Sequence, residues 1–329
     1  MSLLDKKIAV MTAPVRRRLN GLFRGKENPK EVYGLLSEFL SVEGKLLRPA
    51  LCLASCKSVG GSAANAVHAA AAIEMFHNFT LIHDDIEDGS LRRRGHPCMH
   101  VEHGLPLALN AGDGLFMLVW RETMLIRGSQ RENAWSALLK AFTRVLEGQA
   151  IELGWYQDKN WDIGVNEYYQ VIEGKTGALI SVACEVGGLM GEGSKKECSA
   201  LSDFGMGIGV GFQMVDDVLN IVGDEKKYGK EIGGDIVEGK RTLITIRALE
   251  MLSASKSERL CTVLKKERKS KKDVLLVVGL LKESGAVESV METAERTVER
   301  AMERLDVIPE CQAKKTLVEL GEYITRREK

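Results

Sequence analysis

Apolar positions recur every three to four residues along nearly the whole chain, the spacing of amphipathic helices. In residues 31–42 (EVYGLLSEFLSV) this pattern puts Val32, Leu35, Leu36, Phe39 and Leu40 on one stripe. It also predicts helices over 107–127, 133–154, 167–191, 200–222 and 241–253. Residues 65–83 differ. They are rich in alanine and apolar on most sides, which predicts a helix buried at the centre of the fold. No stretch alternates strictly between apolar and polar, so no substantial sheet is expected. Two segments break the helical pattern. Residues 89–97 (GSLRRRGHP) must end the helix before them. Residues 223–241 (GDEKKYGKEIGGDIVEGKR) are rich in glycine and lysine, which suits a lid over an anion.

Composition sharpens this picture. Only 6 of the 329 residues are proline, in keeping with long uninterrupted helices. Lys and Arg number 46, as do Asp and Glu, so bulk electrostatic binding to nucleic acid is not expected. The seven cysteines include no CxxC pair and read as buried thiols of a reducing compartment. No apolar run approaches the ~18–20 residues of a membrane span, and none follows Lys6 and Lys7 as a secretory signal would require. The expectation is one all-α domain over residues 1–329, cytoplasmic.

The sharpest chemical feature is the run Asp84, Asp85, Ile86, Glu87, Asp88 at the end of the most apolar helix. On a helix, Asp84 and Asp88 point the same way one turn apart. Two carboxylates so placed repel unless a cation joins them, and hard oxygen ligands suit Mg²⁺ beside a phosphate. Acids at a helix C-terminus also oppose the macrodipole, which disfavours a purely solvated role. A second pair, Asp216 and Asp217, lies in FQMVDDVLN, with Gln213 and Asn220 near the same face. Two such helices facing each other would frame a cavity with carboxylates at one end and apolar walls below. That suits a ligand with a diphosphate head and a hydrocarbon tail. Candidate cations are Lys45 and Arg48 in GKLLRP, Arg92, Arg93 and Arg94 after the first acidic run, Lys175 in EGKTG, and Lys230 and Lys240.

These residues and their order resemble the trans-isoprenyl diphosphate synthases, over roughly residues 40–245. The motifs that carry the resemblance are GKLLRP, DDIED with SLRRRG, EGKTG, FQMVDD and GKEIGGDIVEGKRT. The resemblance implies a single large helical bundle of the isoprenoid synthase type with a central apolar cavity, and a homodimer. It implies a prenyltransferase of isoprenoid biosynthesis that condenses isopentenyl diphosphate with an allylic diphosphate. Lys45, Arg48, His77 and Arg94 would hold isopentenyl diphosphate. Asp84, Asp88 and Asp216 would hold two or three Mg²⁺ ions on the allylic diphosphate. Arg93, Lys175, Lys230 and Lys240 would neutralise that diphosphate, and Thr176 and Gln213 would lie near the reacting carbons. Gln149 and Glu152 in GQAIEL resemble a family GQxxD pattern with Glu for Asp, which implies a supporting role.

Asn220 stands where the family usually has a third acid, which would weaken metal binding on that side. The first motif lacks a two-residue insertion and so resembles archaeal-type geranylgeranyl synthases. Phe76 and Phe79 are candidate limits on chain length, with C20 expected and C15 or C25 as alternatives. Other readings are a terpene cyclase, a His–Asp metal phosphohydrolase prompted by His83–Asp84, and a non-catalytic partner subunit. His96, His100 and His103 lack a fourth ligand at zinc spacing. The run Gly205, Gly207, Gly209 and Gly211 lacks phosphate-loop spacing and is expected to pack helices.

Overall fold

The computed structural model describes residues 3–25, 28–42, 44–223 and 233–325. Its elements follow the apolar period. They are α1 (Leu3–Asn20), α2 (Lys30–Ser41), α3 (Leu47–Ser58), α4 (Ala63–Glu87), α5 (Met99–Glu102), α6 (Leu105–Thr123), α7 (Arg131–Gln157) and α8 (Val165–Ile172). A π-helical turn (Glu173–Gly177) leads into α9 (Ala178–Met190) and α10 (Lys195–Val222). Then come α11 (Gly234–Glu238), α12 (Leu243–Met251), α13 (Ala254–Leu264), α14 (Lys271–Glu283), α15 (Ala286–Glu303), a 3₁₀ turn (Arg304–Val307) and α16 (Gln312–Thr325). Among the described residues the only strands are Arg92–Arg93 and His96–Pro97, paired antiparallel in the predicted break after α4. The fold is all-α.

The chain divides into two compact units. The first holds residues 1–142, 179–202 and 305–319. Its centre is α4, packed by α3, α6 and α1. The alanine run Ala69–Ala72 is fully buried, because small side chains let neighbouring helices approach closely. The central helix expected from 65–83 is therefore present and extends to the acidic run.

The second unit holds residues 143–178, 203–304 and 320–329. Its core gathers Met214, Val218, Leu243, Ile244, Leu281 and Val290, all essentially buried. Here α10 lies against α15 through glycine. A Cβ on Gly207 would sit 2.6 Å from the Ala301 Cβ, and one on Gly211 would sit 2.5 Å from Val298. These two glycines thus serve helix packing, as expected for the glycine run. All seven cysteines are free thiols, and five are buried. No described helix is long and apolar enough to cross a membrane.

Candidate active site

In the first unit, the acidic run ends α4 and the short hairpin returns Arg93 onto it, while Arg92 Nη2 donates to the Gly95 carbonyl within the hairpin. Asp85 is the buried member of the run, and its Oδ1 accepts from Arg93 Nε at 2.8 Å and Nη2 at 2.7 Å. Asp84 is half-buried and Asp88 exposed. Arg94 occupies the turn with a left-handed backbone, φ 51, beside Gly95 at φ 84. That geometry strains a non-glycine residue, and it throws the Arg94 side chain across to α2 and the GKLLRP segment. There Arg94 Nη1 donates to the Val42 carbonyl at 3.3 Å. A Cβ on Gly44 would lie 3.2 Å from Arg94 Nη2, so the glycine of GKLLRP makes room for this guanidinium.

His77 lies two turns below Asp84 on α4. Burial, then the charges of Arg48, Arg94 and Arg93, hold its pKa well below the usual histidine value. The three arginines therefore converge on a neutral imidazole. Arg48 keeps a buried Nε without a hydrogen-bond partner, a donor available to a ligand. The buried Glu74, in a cavity of about 60 Å³ lined also by Arg16, Asn78 and Arg94, sits in the same field. Burial raises its pKa against the opposing pull of Arg48 and Arg94. Lys45 is exposed at the approach to α3.

The second unit builds a matching arrangement. Gly148 on α7 and Gly174 in the π turn touch backbone to backbone. A Cβ on Gly148 would meet Lys175 N at 2.8 Å, and one on Gly174 would meet the Arg144 carbonyl at 2.9 Å. This close packing seats the π turn, which presents Lys175 and Thr176 in sequence. Lys175 Nζ pairs with Glu152 at 2.8 Å. Thr176 donates to Gln213 Oε1 at 2.9 Å, and Gln213 Nε2 donates to Asp217 Oδ1 at 2.9 Å. Tyr168 closes the relay from α8, its hydroxyl donating to Asp217 Oδ2 at 2.9 Å. Asp217 is buried, and burial with the charge of Asp235 pushes its pKa up to about 8. Asp216 stays half-buried. Asn220 is buried and caps α11: its Oδ1 accepts from Asp235 N at 3.1 Å and its carbonyl from Gly233 N at 2.8 Å. Lys240 pairs with Asp235 and Glu238, both at 2.9 Å. Burial opposes its ammonium form, but these two carboxylates outweigh burial and raise its pKa.

Each DD pair is thus split: one acid is buried and committed to protein partners, while the other keeps exposed surface. Each unit sets an acid with exposed surface near cationic side chains. The match with known proteins decides the family, because the polyprenyl synthetase family covers residues 29–281.

This chain belongs to the polyprenyl synthetase family. It is 37% identical over 302 residues to the short chain isoprenyl diphosphate synthase of Methanothermobacter thermautotrophicus, covering 91% of each chain. It is 34% identical to the geranylgeranyl diphosphate synthase of Methanosarcina mazei, again over 91% of both. The structure of geranylgeranyl pyrophosphate synthetase from Pyrococcus horikoshii superposes with a TM-score of 0.93 at 33% identity, covering 99% of this chain and 98% of that one. The chain is a prenyltransferase.

The donor set of this polyprenyl synthetase fits Mg²⁺. In the first unit Asp84 and Asp88 offer hard oxygens with some exposure, and in the second Asp216 does so, while Asp85 is buried against Arg93 and Asp217 against Tyr168 and Gln213. Among the described residues, the only three-residue group with ligand atoms within 4.8 Å is Glu38, Glu102 and His103. His96 and His100 are not in that group. Lys230 lies outside the described residues.

Phe76 and Phe79 enter a cluster that the sequence did not outline. Phe76 stacks on Phe142 at 3.8 Å and 7°, and Phe116 lies 5.0 Å from Phe79. Sequence reasoning also missed Tyr168 as the partner of Asp217. Glu152, from the GQAIEL segment, forms a salt bridge with Lys175.

Proposed function

We propose that this chain joins isopentenyl diphosphate to an allylic diphosphate and releases a trans-prenyl diphosphate, chiefly C20 geranylgeranyl diphosphate. The C20 reading is supported by relatives named geranylgeranyl diphosphate synthase and by the two aromatic rings at Phe76 and Phe79. Relatives named geranylfarnesyl diphosphate synthase favour C25 as the alternative, with C15 the shorter one. The observation that carries the two-substrate reading is the convergence of Arg48 and Arg94 on His77 in the first unit, beside a separate set, Lys175 and Lys240, in the second.

In this reading Lys45, Arg48, His77 and Arg94 bind isopentenyl diphosphate. Neutral His77 donates a hydrogen bond without adding charge. Arg93, Lys175, Lys230 and Lys240 neutralise the allylic diphosphate, which stabilises it as a leaving group. Asp84, Asp88 and Asp216 would hold two or three Mg²⁺ ions, which would supply the rest of that charge absorption. The allylic C–O bond breaks, the double bond of isopentenyl diphosphate attacks the resulting cation, and a proton leaves to the released diphosphate. Thr176 and Gln213 turn fixed oxygen dipoles toward the developing positive charge. Asp217 holds the Gln213 amide, so the dipole does not rotate.

The same reading takes residues 1–329 as one catalytic domain, in a cytoplasmic homodimer. The exposed Leu105, Leu109 and Met117 on α6 support the dimer, since they fall within an arc of about 120° on one helix. Incubation with Mg²⁺, isopentenyl diphosphate and C5, C10 or C15 allylic starters, followed by chain-length analysis, tests the function. Turnover by the isolated chain dismisses a non-catalytic partner subunit. Products that ignore isopentenyl diphosphate would indicate a cyclase, and phosphate release without a new prenyl product would indicate a phosphohydrolase.

Two substitutions test the roles. Arg94→Ala or Lys45→Ala is expected to raise the KM for isopentenyl diphosphate about 10- to 150-fold, the worth of a charged hydrogen bond. Lys175→Ala acts instead on the allylic substrate. Equal effects of both classes on both Michaelis constants would refute the assignment. Asn220→Asp keeps an acceptor for Asp235 N and adds charge beside Asp216, so the Mg²⁺ concentration for half-maximal activity should fall. An unchanged or raised requirement means the residue serves only to cap α11.

A further inference from the structure

Arg241, in the second unit, is a buried cation whose hydrogen bonds go to main chain. It is 8% exposed. Nε donates to the Asn160 carbonyl at 2.9 Å, Nη1 to that of Gly239 at 2.8 Å and Nη2 to that of Trp155 at 3.0 Å. The guanidinium carbon lies 4.6 Å from the Tyr156 ring centroid and 4.3 Å from that of Trp161. Three main-chain carbonyls and two aromatic faces thus hold one planar group. A planar fork with stacking faces makes such a set of contacts, and an ammonium does not.

The segments joined in this way carry Lys240 and lead, through Tyr156, to the carboxylate that holds Lys175, the two described lysines assigned above to the allylic diphosphate. Gly239 and Lys240 immediately precede Arg241, and Gly239 is in a left-handed conformation, φ 79, so the chain turns sharply there. The Nη1 bond fixes that turn from behind. Lys240 N in turn donates to the Asp235 carbonyl at 2.8 Å, and its ammonium reaches the Asp235 and Glu238 carboxylates. On the other side, the Tyr156 ring that stacks on Arg241 donates its hydroxyl to Glu152 at 3.3 Å, and Glu152 holds Lys175 at 2.8 Å. A continuous path therefore runs from Lys175 through Glu152, Tyr156 and Arg241 to Lys240.

We propose that Arg241, stacked between Tyr156 and Trp161, is a positioning residue that sets Lys240, and through Tyr156 and Glu152 also Lys175, against the allylic diphosphate. This inference rests on the two-substrate function proposed above. Arg241 touches neither substrate; it acts by fixing the backbone from which one lysine projects and the carboxylate that holds the other. It also explains why an arginine with no carboxylate in its direct contacts is buried here: its charge adds to the field that receives a diphosphate.

The test compares Arg241→Lys with the parent in full steady-state kinetics on both substrates, and repeats the comparison in a Lys240→Ala background. Lysine keeps the charge but loses the fork and most of the stacking. The expected loss in kcat/KM for the allylic diphosphate is about 10-fold or more, with the KM for isopentenyl diphosphate changed by less than about two-fold. In the Lys240→Ala background the same substitution should cost clearly less, because coupled residues are not additive. Equal losses in both backgrounds, or equal rises in both Michaelis constants, would overturn the proposal and leave Arg241 a general fold anchor. Trp161→Leu keeps all three carbonyl bonds and removes one stacking face. It decides the matter if Arg241→Lys does not fold, with a smaller allylic-specific loss expected and parent-like kinetics overturning the proposal. Parent enzyme that forms no prenyl product from the two diphosphates would refute the proposed function itself, and this inference with it.

Discussion

Replacing Asp84 or Asp88 by alanine is expected to lower turnover by about three orders of magnitude or more, through loss of metal-assisted activation of the leaving group. The helices should survive. Asp84 is half-buried and Asp88 exposed at the end of α4, so truncation opens no cavity in the core. Product formation from labelled isopentenyl diphosphate and thermal unfolding by circular dichroism, measured on the same samples, separate the two effects. A folded variant with parent-like turnover would defeat the metal assignment. Asp85→Ala supplies the contrast. It strands Arg93, which loses both of its bonds to Asp85 Oδ1. Leaving one partner of such a pair uncompensated costs about 3–5 kcal/mol when fully buried, and less here because Arg93 is partly exposed. Stability and activity should therefore fall together at Asp85, and activity alone at Asp84 and Asp88.

The second large effect is expected at Phe76. Its side chain is fully buried, stacked on Phe142, with Phe79 at 5.5 Å and Phe116 at 6.2 Å. Phe76→Ala removes a ring from a closed cluster, and a buried Phe→Ala change costs about 3–5 kcal/mol. The space left lies below the acidic end of α4, so on the proposed function the product should lengthen by at least one isoprene unit. Phe79→Ala is expected to act in the same direction, since Phe79 and Phe76 are three residues apart on one helix and share Phe116 as a neighbour. Urea unfolding gives the stability change, and chain-length analysis of the products gives the other. A product distribution untouched by the double variant would mean that another helix sets the floor.

The aromatic cluster also illustrates what a helical projection can reach. On such a projection Phe79 lies far round α4 from Asp84, away from a pocket on the Asp84 face. In three dimensions α6 brings Phe116 to both rings, and Phe142 meets Phe76 from α7. The projection gives the azimuth correctly. It cannot give the partners, which lie 37 or more residues away along the chain.

Local causes account for the all-α fold, the central alanine-rich helix, the break after the acidic run and the helix-packing use of Gly207 and Gly211. All of these are legible in the chain alone, from apolar period, small side chains and turn-forming residues. Asp84, Asp88, Lys175, Thr176 and Gln213 stand out in the chain alone as candidates, since acids stand where a helix end disfavours them and the others lie in ordered motifs. Which acid of each pair is buried is a matter of tertiary packing. Adjacent residues on a helix point about 100° apart, so one of each pair must differ in surroundings from the other. Arg93 fixes the buried member at Asp85, and Tyr168, 49 residues distant, helps to fix it at Asp217. The same holds for Arg241. In the sequence it is one more base after Lys240. Only the approach of Trp155, Tyr156, Asn160 and Trp161, from more than 75 residues earlier in the chain, makes it a clamped and buried cation. Burial and partnership depend on long-range packing, and they turn a residue type into a role.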